Sequence, residues 1–309
     1  EISAVVEGGD TLSDAVAQHP KVFNRLYVNM IKAGEIGGVL EIVLKRLADF
    51  MEKAQKIKGK IVAALFYPVA VILVAVAIMG ILMVFVVPKF KLIFDGLLSG
   101  KAMPAFTVLI LNISEAVKSH IFLTTGLMFG VAILFRFLIS TKPGRRIFDR
   151  VKLNFPLIGP VISKAAISRF ARTFGTLVSS GVPILQTLTI VKEATGNLIV
   201  GDAVAAVHES VKQGETITVP LKASGVFPSM VVGMIDIGEQ TGALPEMLMK
   251  IADNYDDEVD NAVGSMTSLL EPIMIVFLAV IVGSIVIALF LPLIKIMEGI
   301  DGSDEAGNM

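Results

Sequence analysis

Apolar positions along this chain change their spacing more than once. They fall at Phe23, Leu26, Tyr27, Met30 and Ile31, then at Leu40, Val43, Leu44 and Leu47, which is the spacing of one face of a helix. Gly34 to Gly38 interrupts them, so residues 1–60 read as a helical hairpin after a polar start. The alternation then disappears because the polar positions do. Ile61 to Pro88 carries no charge, Ser119 to Ile139 carries only Arg136, and Pro272 to Ile294 carries none. At about 1.5 Å per residue, each window can cross a hydrocarbon layer about 30 Å thick. From Lys164 to Met266 helical spacing returns, broken by short turns; at Ser179-Ser180-Gly181-Val182-Pro183, glycine follows one helix and proline opens the next. No stretch alternates with a strand period. The pattern predicts an all-α polytopic membrane protein with three transmembrane helices and two cytoplasmic helical bundles.

The two bundles are copies of one unit. Shifted by 204 positions without a gap, Gly34, Glu35, Gly38, Leu40, Leu44, Ala48, Asp49, Leu65, Pro68 and Pro88 fall on Gly238, Glu239, Gly242, Leu244, Leu248, Ala252, Asp253, Leu269, Pro272 and Pro292. Each copy joins a charged helix to a membrane-length one. Residues Lys164 to Val211 feed the second copy and nothing before Glu1 feeds the first, so the first bundle is expected to be incomplete and the chain a piece of a longer protein.

Composition agrees with a membrane protein. Of 309 residues 54% are hydrophobic and 18% charged, and the mean hydropathy is +0.77. Lys53, Lys56, Lys58 and Lys60 precede the first span, and Lys142, Arg145, Arg146, Arg150 and Lys152 follow the second, which places both clusters in the cytoplasm. The loop between those spans, with Lys89, Lys91, Lys101 and Lys118 against Asp95 and Glu115, is then outside. Parity sends the third span outward, parallel to the first. The expected organisation is a cytoplasmic domain over 1–60, a span over 61–88, a periplasmic loop over 89–118, a span over 119–139, a second cytoplasmic domain over 140–268, a span over 269–294 and a periplasmic tail over 295–309. Gly126/Gly130, Ala279/Gly283 and Ser284/Ala288 have the small-residue spacing that lets membrane helices approach closely.

Candidate chemistry is sparse. A net charge of −1 without a basic, aromatic-laced stripe excludes a case for nucleic acid, and zero cysteines exclude disulfides and a thiol nucleophile. There is no phosphate loop, no H-E-x-x-H and no G-x-S-x-G, and His19, His120 and His208 lie in unrelated segments. Accordingly no catalytic residue, cofactor or metal site is expected. Gly34, Glu35 and Gly38, with Gly238, Glu239 and Gly242, are read as helix-ending turns whose glutamates cap the next helix or meet a partner. Glu271 is read either as a carboxylate at a helix start at headgroup depth or as a polar contact to the other repeat or a partner helix. Arg136 can snorkel to lipid phosphates. Lys53, Lys56 and Lys60 share one helical face, as do Asp253, Asp256, Asp257 and Asp260. At the offset of 204, Lys53 is equivalent to Asp257 and Lys56 to Asp260. These stripes are either two solvated faces or a basic stripe against an acidic one, within a chain or between chains; failing that, the acidic stripe is the better docking surface for a partner.

Ala33-Gly34-Glu35, Tyr67-Pro68, Ser180-Gly181-Val182-Pro183, Phe227-Pro228, Gly238-Glu239-Gln240-Thr241-Gly242 and Leu270-Glu271-Pro272, in that order over essentially the whole chain, resemble the inner-membrane platform proteins of type II secretion systems and type IV pili. Pro104-Ala105-Phe106-Thr107 and Asp256-Asp257-Glu258-Val259-Asp260-Asn261 are more similar to the pilus branch. Most of the family's first cytoplasmic domain is absent. The resemblance implies a non-enzymatic platform of the bacterial inner membrane. Its implied partners are a hexameric cytoplasmic ATPase for assembly or retraction, pilin subunits, other inner-membrane assembly proteins, lipid and further copies of itself as a homo-oligomer. A transporter built from parallel repeats would want ionisable groups or broken helices at mid-membrane, which the uncharged spans do not offer. A sensory receptor would want a catalytic or heptad output, and neither is present.

Overall fold

The computed structural model describes residues 1–23, 25–97, 103–119 and 121–306. Lys101 and His120, named above, lie outside the described residues. Every regular element among them is helical. In chain order these are α1 (Ile2–Glu7), α2 (Leu12–Ala17), α3 (Arg25–Gly37), α4 (Leu40–Ile81), a π-helical turn (Leu82–Val86), α5 (Val87–Leu97), α6 (Ala105–Ser119), α7 (Ile121–Ser140), α8 (Lys142–Asn154), α9 (Gly159–Ser179), α10 (Ile184–Ala194), α11 (Leu198–Lys212), α12 (Thr218–Ser224), α13 (Ser229–Thr241) and α14 (Leu244–Ala306). The chain divides into two units: Glu1–Ala63 with Ile139–Met266, and Ala64–Leu138 with Thr267–Met309. Helices α4 and α14 contribute residues to both.

In the first unit, one apolar core collects residues from α3, α4 and α9 to α14. Leu26 and Met30 of α3 and Val43 and Leu47 of α4 join Phe170 and Phe174 of α9, Leu188 of α10, Val204 of α11, Leu221 of α12, Ile235 of α13 and Leu248 and Ile251 of α14. The rings of Phe170 and Phe227 stand 4.8 Å apart at its centre. Each fully buried Phe or Leu contributes about 1.5–3 kcal/mol by leaving water. Leu44, expected on the inner face, is instead 40% exposed, because only Val43 and Leu47 of that turn point at the core.

Two glycine positions make the helical hairpins, and each does a different job. Gly38 and Gly242 have φ of +66° and +73°, the left-handed conformation that a side chain strains to reach. Val39 N donates to Gly34 O at 2.9 Å, closing α3 by a Schellman-type bond. Gly34 and Gly238, expected in the turns, instead lie inside α3 and α13. They are needed because the next helix passes so close. A Cβ on Gly34 would stand 3.1 Å from the Val43 side chain and 3.2 Å from Leu40 Cα; one on Gly238 would stand 2.9 Å from Leu244 Cα and 3.1 Å from Met247.

In the second unit, the π-helical turn comes just before Pro88. Proline has no N–H for the carbonyl of Val84 four residues back, and its ring crowds that oxygen, so the helix widens by one residue instead of breaking. Val87 N–H reaches back to Leu82 O, and Met83 O accepts from Ser114 Oγ of α6. Thr107 Oγ1, also on α6, donates to Ala288 O of α14 at 2.7 Å in a buried contact. Val87, Ile110, Leu111, Ile285 and Ala288 form the small core around these bonds. Of the segment between the first two predicted spans, the described residues 89–97 and 103–118 are mostly helical: α5 runs to Leu97, and α6 packs its apolar side on the π turn and α14.

Two stretches, Leu40–Phe94 and Leu244–Ile294, are long and apolar enough to cross a membrane. Within them many large apolar residues are exposed, Phe66 at 75% and Leu73 at 66% in the first and Ile275 at 61% and Val276 at 62% in the second. The remaining predicted span, over 119–139, falls on the 20-residue α7. Glu271 is exposed inside α14 rather than at a helix start, since α14 continues through Pro272 without interruption.

The two glycine roles make different predictions for alanine. Gly238→Ala drives a Cβ against backbone and should destabilise by about 1–3 kcal/mol, whereas Gly242→Ala strains only φ and should lose about 1 kcal/mol. Thermal unfolding of the detergent-purified variants checks the order; equal shifts would remove the close-approach explanation of Gly238.

Candidate functional site

The most elaborate polar arrangement lies in the first unit, where α9 runs beside the start of α14. Lys164, Ser168 and Arg172 recur every four residues along one face of α9. They meet the acidic stripe of α14 in reverse order. Lys164 pairs with Glu258, Ser168 Oγ donates to Asp256, and Arg172 Nη2 donates to Asp256 and, at 3.0 Å, to Asp253 Oδ1. The Arg172 side chain is only 5% exposed. Its Nε and the neighbouring Thr173 Oγ1 are buried without a partner.

Helix α4 approaches the same stripe from the other side. Lys53 Nζ lies 2.6 Å from Asp253 Oδ1, and Lys60 pairs with Asp260. Both pairs are 200 residues apart, not the 204 of the sequence offset, so α4 and α14 meet about one helical turn out of that register. Lys56 and Asp257 both stay exposed. Arg46, from the same helix, donates to Ser179 Oγ at 3.1 Å and also to the Ser179 carbonyl at the end of α9. A cleft of about 600 Å³ opens between these helices, lined by Arg46, Asp49, Glu52, Lys53, Lys56, Arg172, Glu246 and Met249 among others. Charges of both signs around its rim suit it to a charged macromolecular surface more than to a small apolar ligand.

Burial alone would raise the Asp253 carboxyl. The hydrogen bonds and positive charges of Lys53 and Arg172 outweigh it and hold its pKa below the ordinary carboxylate value.

Glu35 and Glu239 do not cap the helix that follows them, as expected, but the short one before. Glu35, in the last turn of α3, accepts from Leu12 N at 2.6 Å and Ser13 N at 3.2 Å, at the opening of α2. Glu239, near the end of α13, accepts from Ile217 N at 2.9 Å and from Thr218 Oγ1 at 2.9 Å, at the opening of α12. The carboxylate reaches back 22 residues from Glu35 to Ser13 and from Glu239 to Ile217, so the device is the same in the two copies. A negative charge on free N–H groups at a helix start satisfies donors that have no other partner and meets the positive end of the helix dipole.

Of the residues singled out from sequence, the structure joins Lys53, Asp253 and Asp256 through Arg172 and brings Lys60 to Asp260. It leaves Glu271 in the second unit. Arg172 itself was missed. The signal available was the four-residue spacing of polar groups in the otherwise apolar α9.

The chain matches the family described as type II secretion system (T2SS), protein F, over residues 1–88 and 170–292. It is 43% identical to the type IV pilus assembly protein PilC of Myxococcus xanthus over 299 residues, covering 97% of this chain and 71% of that protein. It belongs to the type II secretion protein F family. Within that family it is also 42% identical to the type IV pilus assembly protein PilC of Thermus thermophilus over 298 residues, covering 96% of this chain and 73% of that one. To the type II secretion system protein F of Vibrio cholerae it is 36% identical over 296 residues, covering 95% and 72%. The matched segments contain the Gly34-Glu35 and Gly238-Glu239 helix junctions, Arg172 and the charged stretches of α4 and α14, whereas Lys164 and Ser168 lie just before the second segment.

Two outcomes follow for the polar network. Because the folded pKa of Asp253 is depressed, its ion pairs stabilise the fold above the unfolded value of about 4 and are lost as pH falls through the lower folded value. The carboxylate is 59% exposed, so solvent screening limits the contribution to about 0.5–1 kcal/mol. Asp253→Asn should lower the Tm at neutral pH and flatten its fall below about pH 4; an unchanged acid limb would show that other groups set it. Separately, Glu239→Ala should cost about 1–2 kcal/mol by uncapping α12, with faster amide exchange at Ile217 and Thr218 as the local readout. Protection of those amides at the parent level would remove the capping role.

Proposed function

We propose that this chain is the inner-membrane platform of a type IV pilus assembly machine. It works without catalysis of its own, coupling a hexameric cytoplasmic ATPase to the insertion or removal of pilin subunits. The observation that carries the reading is the 43% identity to a pilus assembly protein across 97% of the chain. Two physical features support it. The charged, cleft-bearing first unit is built from helices on which a cytoplasmic partner can be recognised, and α4 and α14 each continue from that unit into the apolar one.

In this reading α4, α7 and α14 are three spans, the first and third parallel, with both charged helical segments in the cytoplasm and the platform a homo-oligomer. Lys56, which lines the cleft, and Asp257, also exposed, are side chains offered to the ATPase. The Lys53 and Lys60 pairs hold the two repeats in register; at about 0.2–1 kcal/mol each they select an arrangement more than they add bulk stability.

The test is a strain deleted for the full-length gene. Surface filaments should vanish while pilin levels stay normal, and the tagged full-length protein should co-purify with the assembly ATPase at a fixed stoichiometry by mass. Normal filaments in the deletion strain with loss of a secreted protein instead would move the chain to the secretion branch. Isotope uptake by the reconstituted protein would replace the platform reading with a transporter.

A further inference from the structure

Helix α8 begins one residue after the apolar α7 ends, and its two faces are unlike. Thr141 caps it, accepting from Gly144 N at 3.3 Å. Inward, Asp149 is buried; its carboxylate accepts from Leu198 N at 3.0 Å and its carbonyl from Asn197 Nδ2 at 3.4 Å, which ties α8 to the start of α11. Outward, Ile147 and Val151 are 67% and 55% exposed, and Phe155, at the C-cap, is 49% exposed. Four-residue spacing puts these three in one stripe.

The charges are arranged around that stripe. Asp149 is the one acidic residue between Lys142 and Asn154, and it faces the protein. Arg150 is exposed beside the stripe. Farther round on either side are Arg146, which pairs with Asp202, and Lys152, whose Nζ lies 4.1 Å over the Phe148 ring. An uncovered row of large apolar side chains on a water-facing helix is unfavourable. Flanked by cations and following an apolar 20-residue helix, it has the amphipathic pattern of a helix lying in a membrane interface.

We propose that α8 lies on the surface of an anionic bilayer, with Ile147, Val151 and Phe155 at the boundary of headgroups and acyl chains and Arg150 against lipid phosphates. The inference rests on the membrane reading of the apolar helices. Charge complementarity selects the occupant. A leaflet of acidic lipid supplies negative charge all along the stripe, and the end of α7 already delivers α8 to that depth.

These 309 residues contain no cysteine, so once any cysteine elsewhere in the full-length protein is replaced by serine, single-cysteine variants report one site each. The full-length protein carrying Val151→Cys, Val76→Cys or Ile237→Cys is spin-labelled and reconstituted in vesicles of phosphatidylethanolamine and phosphatidylglycerol. Accessibility to dioxygen, which concentrates in lipid, is then compared with accessibility to a water-soluble nickel chelate. Val76 is the control within the apolar part of α4, and Ile237, 55% exposed on α13, the control for water. The label at Val151 should favour dioxygen as Val76 does. It should shift several-fold toward the nickel chelate when Arg150→Glu is added or when phosphatidylcholine alone forms the vesicle. If Val151 behaves like Ile237 while Val76 stays in lipid, α8 does not lie on the membrane. A label at Val151 shielded from both reagents would mean a protein covers the stripe and would equally overturn the proposal. If Val76 also reports water, the membrane reading fails and this inference falls with it.

Discussion

A guanidinium with almost no contact with water needs carboxylates, and the first unit is arranged to supply them. Arg172 is 5% exposed and shared between Asp253 and Asp256. Removing an ion from water costs several kcal/mol, and only close partners with hydrogen bonds offset it. Three helices are held to a common register by that requirement: α9 supplies the cation, α14 both anions, and α4 enters through Lys53, the second cation on Asp253. Lys164 with Glu258 and Lys60 with Asp260 extend the same ladder along the helices. The apolar core beside it, which includes Phe170 and Phe227, supplies the bulk of the stability, and the charge pairs help select among the registers that its packing allows.

The junctions of α3 with α4 and of α13 with α14 share one local geometry. A long helix must leave a shorter one at close range, and both junctions do it with a glycine in the last turn of the shorter helix and a second glycine in the left-handed turn. The glutamate beside the first glycine then reaches back to the helix before it, so each junction is tied to three helices by two glycines and one carboxylate. Retention of this device in both copies fits a role for α4 and α14 as paired elements that emerge from charged helical segments and continue as apolar ones. A family whose members are named for pilus assembly and secretion has use for such elements, since a hydrocarbon interior demands that the backbone be satisfied within each helix.

The second unit handles the same demand at Pro88 and Pro292 in two ways. Ahead of Pro88 the helix widens into a π turn and shares a carbonyl with Ser114; α14 passes Pro292 as helix. These two prolines therefore sit in unlike local structure, although α6 donates to a carbonyl ahead of each: Ser114 Oγ to Met83 O before Pro88, and Thr107 Oγ1 to Ala288 O, the carbonyl that Pro292 leaves without its helical partner.

The all-helical fold, the long apolar stretches, the hairpin at Gly38 and its counterpart at Gly242 were legible in the sequence, because hydrophobic period, length and the left-handed preference of glycine are local properties that need no partner to be read. The family was legible for a related reason: short motifs at fixed offsets preserve local geometry. Other features were decided only when distant helices came together. The one-turn displacement of Lys53 onto Asp253, the backward reach of Glu35 and Glu239, the helical character of residues 89–118 and the burial of Arg172 all depend on which faces meet. A residue's own neighbours in sequence do not carry that information, since any of several registers satisfies a helix by itself and only packing against the others makes one of them lower in free energy.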